Sequence, residues 1–252
     1  MKLHVLGSSS SGNCYIFQSE KTGEMLAVEA GMDFHKVVLR ATNFAVDNIV
    51  GCLVTHEHGD HAAYAHCFAE FGINVYGSHG TVEAIQAARG KYPYYRSLAP
   101  LAPVRIGSYE VMPFPVQHDA VEPFGYLIRH EECGTVLFAT DTYYIKYTFP
   151  RLNNILLECN YRKDILDTNY AAGRIGKNRY ERTIKSHMSY DMCVRTLQAN
   201  DLSLVRHIIL LHMSDNNSNA DEFVRGIEAI YPDIEVTAAT RRLTLTINKN
   251  PY

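Results

Sequence analysis

Long apolar runs are missing from this chain. No stretch of about 18 consecutive apolar residues occurs, so no segment is expected to cross a membrane. The six cysteines (Cys14, Cys52, Cys67, Cys133, Cys159 and Cys193) show neither paired spacing nor a Cys-x-x-Cys, and most sit within apolar runs. That argues against disulfides and against a structural zinc ribbon. The serine-rich turn at residues 8–11 lacks the Gly-x-x-x-x-Gly-Lys that a P-loop needs, which excludes that kind of triphosphate site. Charge of one sign is scarce as well. A net −3 over 252 residues argues against a general nucleic-acid-coating protein, although it permits a local cationic groove. Residues 2–6 read as a strand rather than as the apolar core of a secretion signal, so a cytoplasmic location is expected.

What remains is ordinary globular material, with 46% hydrophobic and 20% charged residues. We expect a single domain over residues 1–252. A chain of this length buries roughly 75% of its unfolded surface and needs no covalent staples. Repeats, low-complexity segments and a clear linker are not apparent.

One heptapeptide stands apart. Residues 55–61 read Thr-His-Glu-His-Gly-Asp-His, placing His56, His58, Asp60 and His61 within six residues. The preceding Ile49–Val54 run is apolar and β-branched, as in a buried strand, so the histidines fall where that strand ends. On extended backbone His56, His58 and Asp60 would share a face, and a tight turn after Gly59 would swing His61 inward. Imidazole nitrogen and carboxylate oxygen together suit zinc, manganese or iron(II). An ion takes about four protein ligands or fewer. Four candidates here, with more downstream, suggest two divalent ions.

The motif resembles, letter for letter, the His-x-His-x-Asp-His signature of the metallo-β-lactamase superfamily. That pattern implies three further ligands after later strands. Residues 111–117 lead into His118, residues 135–140 into Asp141, and residues 207–211 into His212. By this resemblance His56, His58 and His118 hold one metal, Asp60, His61 and His212 hold a second, and Asp141 bridges them. The ions are expected to be Zn2+, with Mn2+ or Fe2+ as alternatives. A water or hydroxide between them would be the nucleophile, its pKa lowered toward about 7. The implied fold is α/β, a four-layer αββα sandwich of two mixed sheets flanked by helices.

Similarity extends to the YycJ/WalJ-like branch. Gly7 to Asn13 resembles its Ser-Gly-Ser-Ser-Gly-Asn opening, and His118 to Tyr126 its His-Asp-Ala-x-Glu-Pro segment. Ser186-His187-Met188-Ser189 resembles its Gly-His-Leu-Ser, and His212-Met213-Ser214 its His-Leu-Ser. Two departures are plain. Glu29 stands where most of the superfamily has Asp, a position that supports the metal loop. Residues 160–186 are also long and basic for this branch.

The coarse element pattern agrees with two sheets. Strands are expected at 2–6, 13–18, 25–29, 74–76, 109–116, 125–130, 135–139, 155–159, 207–211, 235–239 and 243–248. Helices are expected at 34–41, 62–71, 81–89 with Thr81 as N-cap, 189–200, and onward from Ser218 in an Ser-x-x-Asp capping box.

Residues 162–185 hold seven cations against three anions, with Tyr161, Tyr170 and Tyr180 close by. Such a segment can grip phosphates and stack bases, or be a solvated excursion. Arg179 and Arg182 are its candidate substrate-binding residues. Ser11 and Asn13 are candidates by the resemblance, beside the metals. His187 would contact a substrate oxygen or protonate a leaving group, and Asp60 would orient the nucleophile or take its proton. Tyr92, Tyr94 and Tyr95 form a candidate pocket wall or subunit interface, which leaves a homodimer open. The other histidines (His4, His35, His66, His79, His130 and His207) have no motif context.

The superfamily hosts several hydrolyses, so fold alone does not choose among them. His61 and the basic segment favour a phosphodiesterase, most specifically a nuclease acting on DNA or RNA, since two metals suit in-line displacement at phosphorus. The alternative is a small-molecule hydrolase of a thioester, lactone or cyclic nucleotide on the same site. A non-catalytic binding module is the third reading.

Overall fold

Period-two burial divides each strand between two layers of core. We describe residues 1–249 of a computed structural model. In β1 (Lys2–Gly7), Leu3 and Val5 face inward. In β2 (Cys14–Gln18), Tyr15 and Phe17 do the same, while Cys14 and Ile16 face outward. β3 (Met25–Val28) repeats the pattern with Leu26 and Val28 inward. Successive side chains of an extended chain point to opposite faces, so these strands must be covered on both sides. β4 (Ile49–Leu53), β5 (Val75–Gly77), β6 (Tyr95–Ser97) and the C-terminal β14 (Leu243–Thr246) complete a seven-stranded sheet in the order β14-β1-β2-β3-β4-β5-β6.

A second sheet has matching construction. It contains β7 (Val104–Ile106), β8 (Tyr109–Pro115), β9 (Phe124–His130), β10 (Gly134–Ala139), β11 (Leu152–Glu158), β12 (His207–Leu211) and β13 (Glu235–Ala238). Its order is β13-β12-β11-β10-β9-β8-β7. Each sheet pairs antiparallel at one end (β14-β1-β2-β3 and β7-β8-β9-β10) and parallel at the other (β3-β4-β5-β6 and β10-β11-β12-β13). The two sheets meet through a core that includes Tyr15, Phe17, Phe124, Tyr126, Phe138 and Ile209. The Tyr15 and Phe138 rings meet edge to face at 5.2 Å across that joint.

Helices cover the outer faces. α1 (Leu39–Ala41), α2 (Gly59–Ala62), α3 (Ala65–Glu70) and α4 (His79–Arg89) lie along the first half of the chain. Phe34, Phe68, Val82 and Ile85 from this stretch pack on the first sheet. α5 (Lys163–Ala171), α6 (Lys177–Ser186), α7 (Tyr190–Gln198) and α8 (Ala220–Ile230) follow. Cys193 and Leu197 of α7 and Phe223 and Ile227 of α8 pack on the second sheet. The result is the expected four-layer αββα sandwich. All six cysteines are buried free thiols, and no helix of the described residues is long and apolar enough to cross a membrane.

Several local expectations shift. The helix at 62–71 divides into α2 and α3, and the one at 34–41 opens with a wide turn over Phe34–Val38 before α1. α4 begins two residues early because Ser78, not Thr81, caps it: Ser78 Oγ accepts from the Thr81 amide at 3.0 Å. Asn219, not Ser218, caps α8. β11 starts at Leu152, three residues before the anticipated strand, since Leu152 and the two asparagines after it are buried against β10. The short strands β6 and β7 carry too little alternation to be read from sequence.

Truncating the ring at the inter-sheet joint tests this packing. Phe138→Ala is expected to destabilise the fold by about 3–5 kcal/mol through lost transfer energy and a residual cavity. Urea unfolding reads the change in midpoint, and a loss under about 1 kcal/mol would contradict the placement.

Candidate metal centre

Strand ends converge where the two sheets meet. β4 runs into His56 and His58, β8 into His118, β10 into Asp141, β11 ends in Glu158, and β12 runs into His212. The backbone turns sharply at two of these exits and at the end of β3. Glu29 after β3 has φ 69°, Asp141 has φ 48° and His212 has φ 49°. Residues other than glycine enter that left-handed region at a cost of roughly 1–3 kcal/mol each, and such strain collects at functional sites. The heptapeptide is not extended throughout. After His58 the chain enters the single helical turn α2, which turns His61 inward to complete burial.

Seven side chains gather into two donor sets. His56 Nε2, His58 Nδ1 and His118 Nε2 form the first, with His58 Nδ1 3.0 Å from His56 Nε2 and 3.2 Å from His118 Nε2. Asp60, His61, Asp141 and His212 form the second. Asp141 faces both. Its Oδ2 lies 3.3 Å from His61 Nε2, 3.7 Å from His118 Nε2 and 4.0 Å from His56 Nε2, and its Oδ1 lies 3.6 Å from His212 Nε2. Asp60 Oδ2 lies 3.4 Å from His61 Nε2 and 3.5 Å from His212 Nε2. Ligands about 2.05 Å from a tetrahedral ion stand roughly 3.3 Å apart, so this spacing fits a cation in each set.

Two further observations make the same fit. His212 Nε2 is buried and has no hydrogen-bond partner among the described residues. Glu29, Asp60, Asp141 and Glu158 bring four carboxylates together, and their ion-pairing partners here are all imidazoles. Buried negative charge of this density requires cations. Burial alone would raise the Asp60 and Asp141 carboxyls, but the neighbouring His212 and His61 hold both far below the usual carboxylate range. Burial alone would lower the His61 imidazole, and Asp141 and Glu29 reverse that to raise it. Burial keeps His56 and His118 below their ordinary values, as neutral donors.

A supporting layer fixes several of the donors. The His56 Nδ1 hydrogen bonds to Thr55 Oγ1 at 2.9 Å, and the Thr55 hydroxyl donates to Glu29 Oε1 at 2.5 Å. The same Glu29 oxygen lies 3.3 Å from His61 Nδ1. The longer side chain at position 29 thus reaches two histidines of the heptapeptide. His118 Nδ1 donates to the Ser186 carbonyl at 2.8 Å. Ser8 Oγ accepts from the His212 amide at 2.9 Å and from Tyr15 at 2.7 Å. Asn160 donates to the His212 carbonyl at 2.7 Å. Gly31 is required by close approach, since a Cβ there would sit 1.7 Å from the Asp60 carbonyl oxygen.

A cleft of about 440 Å3 opens beside the second set, lined by Arg179, Arg182, His187, His212 and Asn216 among others. His187 Nδ1 lies 2.7 Å from Glu158 Oε1. Burial lowers its pKa, and Glu158 more than reverses this, to about 9. Glu158 is the residue that sequence reasoning missed. It is fully buried and also accepts from the Thr142 and Met188 amides at 2.7 and 3.2 Å. Its signal was a lone carboxylate closing an otherwise uncharged strand, where an ionised group is rare unless paired.

Other candidates are placed differently. Arg179 lines the cleft without a partner among the described residues, whereas the Arg182 Nε donates to Asp119 at 2.7 Å. Ser11 lies outside the cleft, which Ser9 and Ser10 line instead, because the turn carries Ser11 outward to an adjoining hollow. Asn13 is fully buried, its amide nitrogen 3.1 Å from the Ser9 carbonyl and 3.2 Å from that of Asp60, so it braces the loop. The tyrosine cluster stands apart from the cleft. Tyr92 donates to Glu70 of α3 and Tyr95 opens β6.

Comparison with known proteins agrees with this architecture. Residues 26–213 match the family described as Beta-lactamase superfamily domain. The chain belongs to the metallo-β-lactamase superfamily. It is similar to an exodeoxyribonuclease YycJ of Bacillus anthracis, 28% identical over 86% of this chain and 85% of that protein. It is also similar to an exodeoxyribonuclease WalJ of Streptococcus pneumoniae, 26% identical over 86% and 83%. Among solved structures, the metallo-β-lactamase fold protein YhfI from Bacillus subtilis superposes with TM-score 0.72 at 17% identity, covering 97% of this chain and 98% of that one.

The crowding at Gly31 yields a direct test. Gly31→Ala must displace the Asp60 backbone, so purified protein should lose about one equivalent of metal by elemental analysis, while circular dichroism keeps the wild-type spectrum. Undiminished metal content would refute the coupling.

Proposed function

We propose that this hydrolase is a binuclear metal-dependent phosphodiesterase, specifically a nuclease, and the observation that carries the reading is Asp141 set between two donor sets beside a basic cleft. His56, His58 and His118 would hold one divalent ion, Asp60, His61 and His212 the other, and Asp141 both. Zinc best suits so nitrogen-rich a donor set. When bound, the pair would supply Lewis-acid charge at a phosphoryl oxygen and make a water acidic enough to attack near neutral pH.

The chain's own groups divide the remaining work. Asp60, as a ligand of the second ion, would be a poor proton acceptor, and its role would be to orient the attacking water. Arg179 offers an uncommitted guanidinium to a substrate phosphate. His187, held by Glu158 through Nδ1, presents its other nitrogen to the cleft as a proton donor for the leaving oxygen. A strand fits this cleft better than a small closed substrate does. An adjoining hollow of about 470 Å3 borders the cleft through Ser9, Met213, Ser214 and Asp215, which leaves room for an extended substrate to continue past the metal centre. The YycJ and WalJ relatives are named exodeoxyribonucleases, which favours DNA.

The proton-donor role sets a pH profile. His187 is protonated below a pKa of about 9, so cleavage of a deoxyoligonucleotide should be sustained at neutral pH and fall as pH rises through that value. His187→Ala is expected to lower kcat on the oligonucleotide by about 10²–10⁴-fold and to remove the alkaline limb. The same variant should change hydrolysis of bis-p-nitrophenyl phosphate far less, because that leaving group departs without a proton. Equal losses on both substrates would overturn the assignment, and no cleavage of any polynucleotide by metal-replete protein would overturn the nuclease reading.

A further inference from the structure

A second polar hollow, of about 780 Å3, lies at the opposite end of the second sheet. β11 connects the two regions. Glu158 closes it at the metal centre, and Arg151 precedes it at the hollow, so about 20 Å of strand separates them. Arg105, Arg129, Arg151 and Lys249 line this hollow, against the carboxylates Glu110 and Glu131. Both carboxylates are engaged. Glu110 pairs with Arg129 at 3.3 Å, and Glu131 pairs with Lys21 at 3.1 Å. The cationic excess therefore remains, in a protein whose overall charge is −3.

Arg151 is the unexplained member. Its φ is 57°, a left-handed conformation that favours glycine, yet an arginine stands there. Among the described residues its guanidinium has neither a hydrogen bond nor an ion pair, so no internal contact offsets the strain. Two residues on, Asn153 lines the same hollow. Its side-chain oxygen accepts from the Thr135 amide at 2.9 Å, and its amide nitrogen has no partner among the described residues. The histidine of the hollow is already committed at both ring nitrogens. His130 Nδ1 accepts from the Glu132 amide at 3.2 Å, so Nε2 carries the proton and donates to Ser108 Oγ at 3.1 Å. The uncommitted groups are thus hydrogen-bond donors.

We propose that this hollow is a binding site for a phosphate-bearing ligand, with Arg151 as its main donor, the Asn153 amide on the same strand, and Arg105 across the hollow on β7, four strands away. A guanidinium fork matches two phosphate oxygens at once, and several forks in one open hollow select a multiply charged anion. The site is separate from the metal centre and does not rest on the nuclease reading. The ligand is either a free phosphate compound or the backbone of a polynucleotide, since both present the same oxygens.

Hydrogen exchange on the purified, metal-replete protein locates the ligand. The probes are inorganic phosphate at millimolar concentration and a short phosphorothioate deoxyoligonucleotide. Protection of segment 150–153 by phosphate identifies a small-anion site at Arg151, and protection of 104–108 together with 150–153 by the oligonucleotide alone identifies a strand contact. Either supports the proposal. Arg151→Gly is the decisive variant, because glycine accepts φ 57° without strain and Tm should be kept or raised. Its half-protecting concentration should rise about tenfold, while hydrolysis of bis-p-nitrophenyl phosphate is unchanged. Absence of protection with both probes, or protection undiminished in Arg151→Gly and in Arg105→Ala, would overturn the site.

Discussion

Charge balance at the junction of the two sheets governs this molecule. Glu29, Asp141 and Glu158 are buried and Asp60 partly so, and their ion-pairing partners are imidazoles alone. A carboxylate removed from water costs several kcal/mol unless a cation or hydrogen bonds meet it. Protonated histidines or divalent ions are the available answers at this place. Divalent ions bound here would therefore stabilise the fold, because they would meet carboxylates that water scarcely reaches.

That requirement explains why the site sits on strand ends rather than on loops alone. Glu29, Asp141 and His212 all take left-handed backbone within two residues of a strand end. Such strain persists only where the surroundings over-determine it. The inter-sheet core does so through Tyr15, which packs on Phe138 and also donates to Ser8, whose hydroxyl oxygen holds the His212 amide. A rigid hydrophobic joint is thus linked by two hydrogen bonds to a residue of the second donor set.

The α5 and α6 arm is built differently. Its apolar contacts form a small cluster of their own around Tyr161, Leu166 and Ile175. Much of its attachment to the rest of the chain is polar: Arg162 pairs with Glu222, Asn169 donates to the Asn216 carbonyl, and Arg182 pairs with Asp119. Exposed ion pairs of this kind are worth about 0–1 kcal/mol each. The arm forms one wall of the cleft with little apolar anchoring, so it is the part of the site most open to adjustment by a bound substrate.

The superfamily signature, the convergence of His118, Asp141 and His212 on the heptapeptide, and the sandwich with most of its strands were legible from the chain alone. The heptapeptide and the strands follow from unusual residue types and short-range periodicity, both of which survive in one dimension, while the convergence of the three later ligands and the sandwich were implied by the resemblance to the superfamily. Glu158, the bracing roles of Asn13 and Ser8, the outward turn of Ser11 and the Arg182–Asp119 pair were not legible. Each depends on which residues, tens to hundreds apart, share a few ångströms once the sheets have packed, and on backbone φ values that no local pattern encodes. Sequence determined the chemistry this protein could carry. Tertiary structure alone decided which carboxylate holds His187 and which arginine stays free, because those outcomes are set by the distances between separate elements.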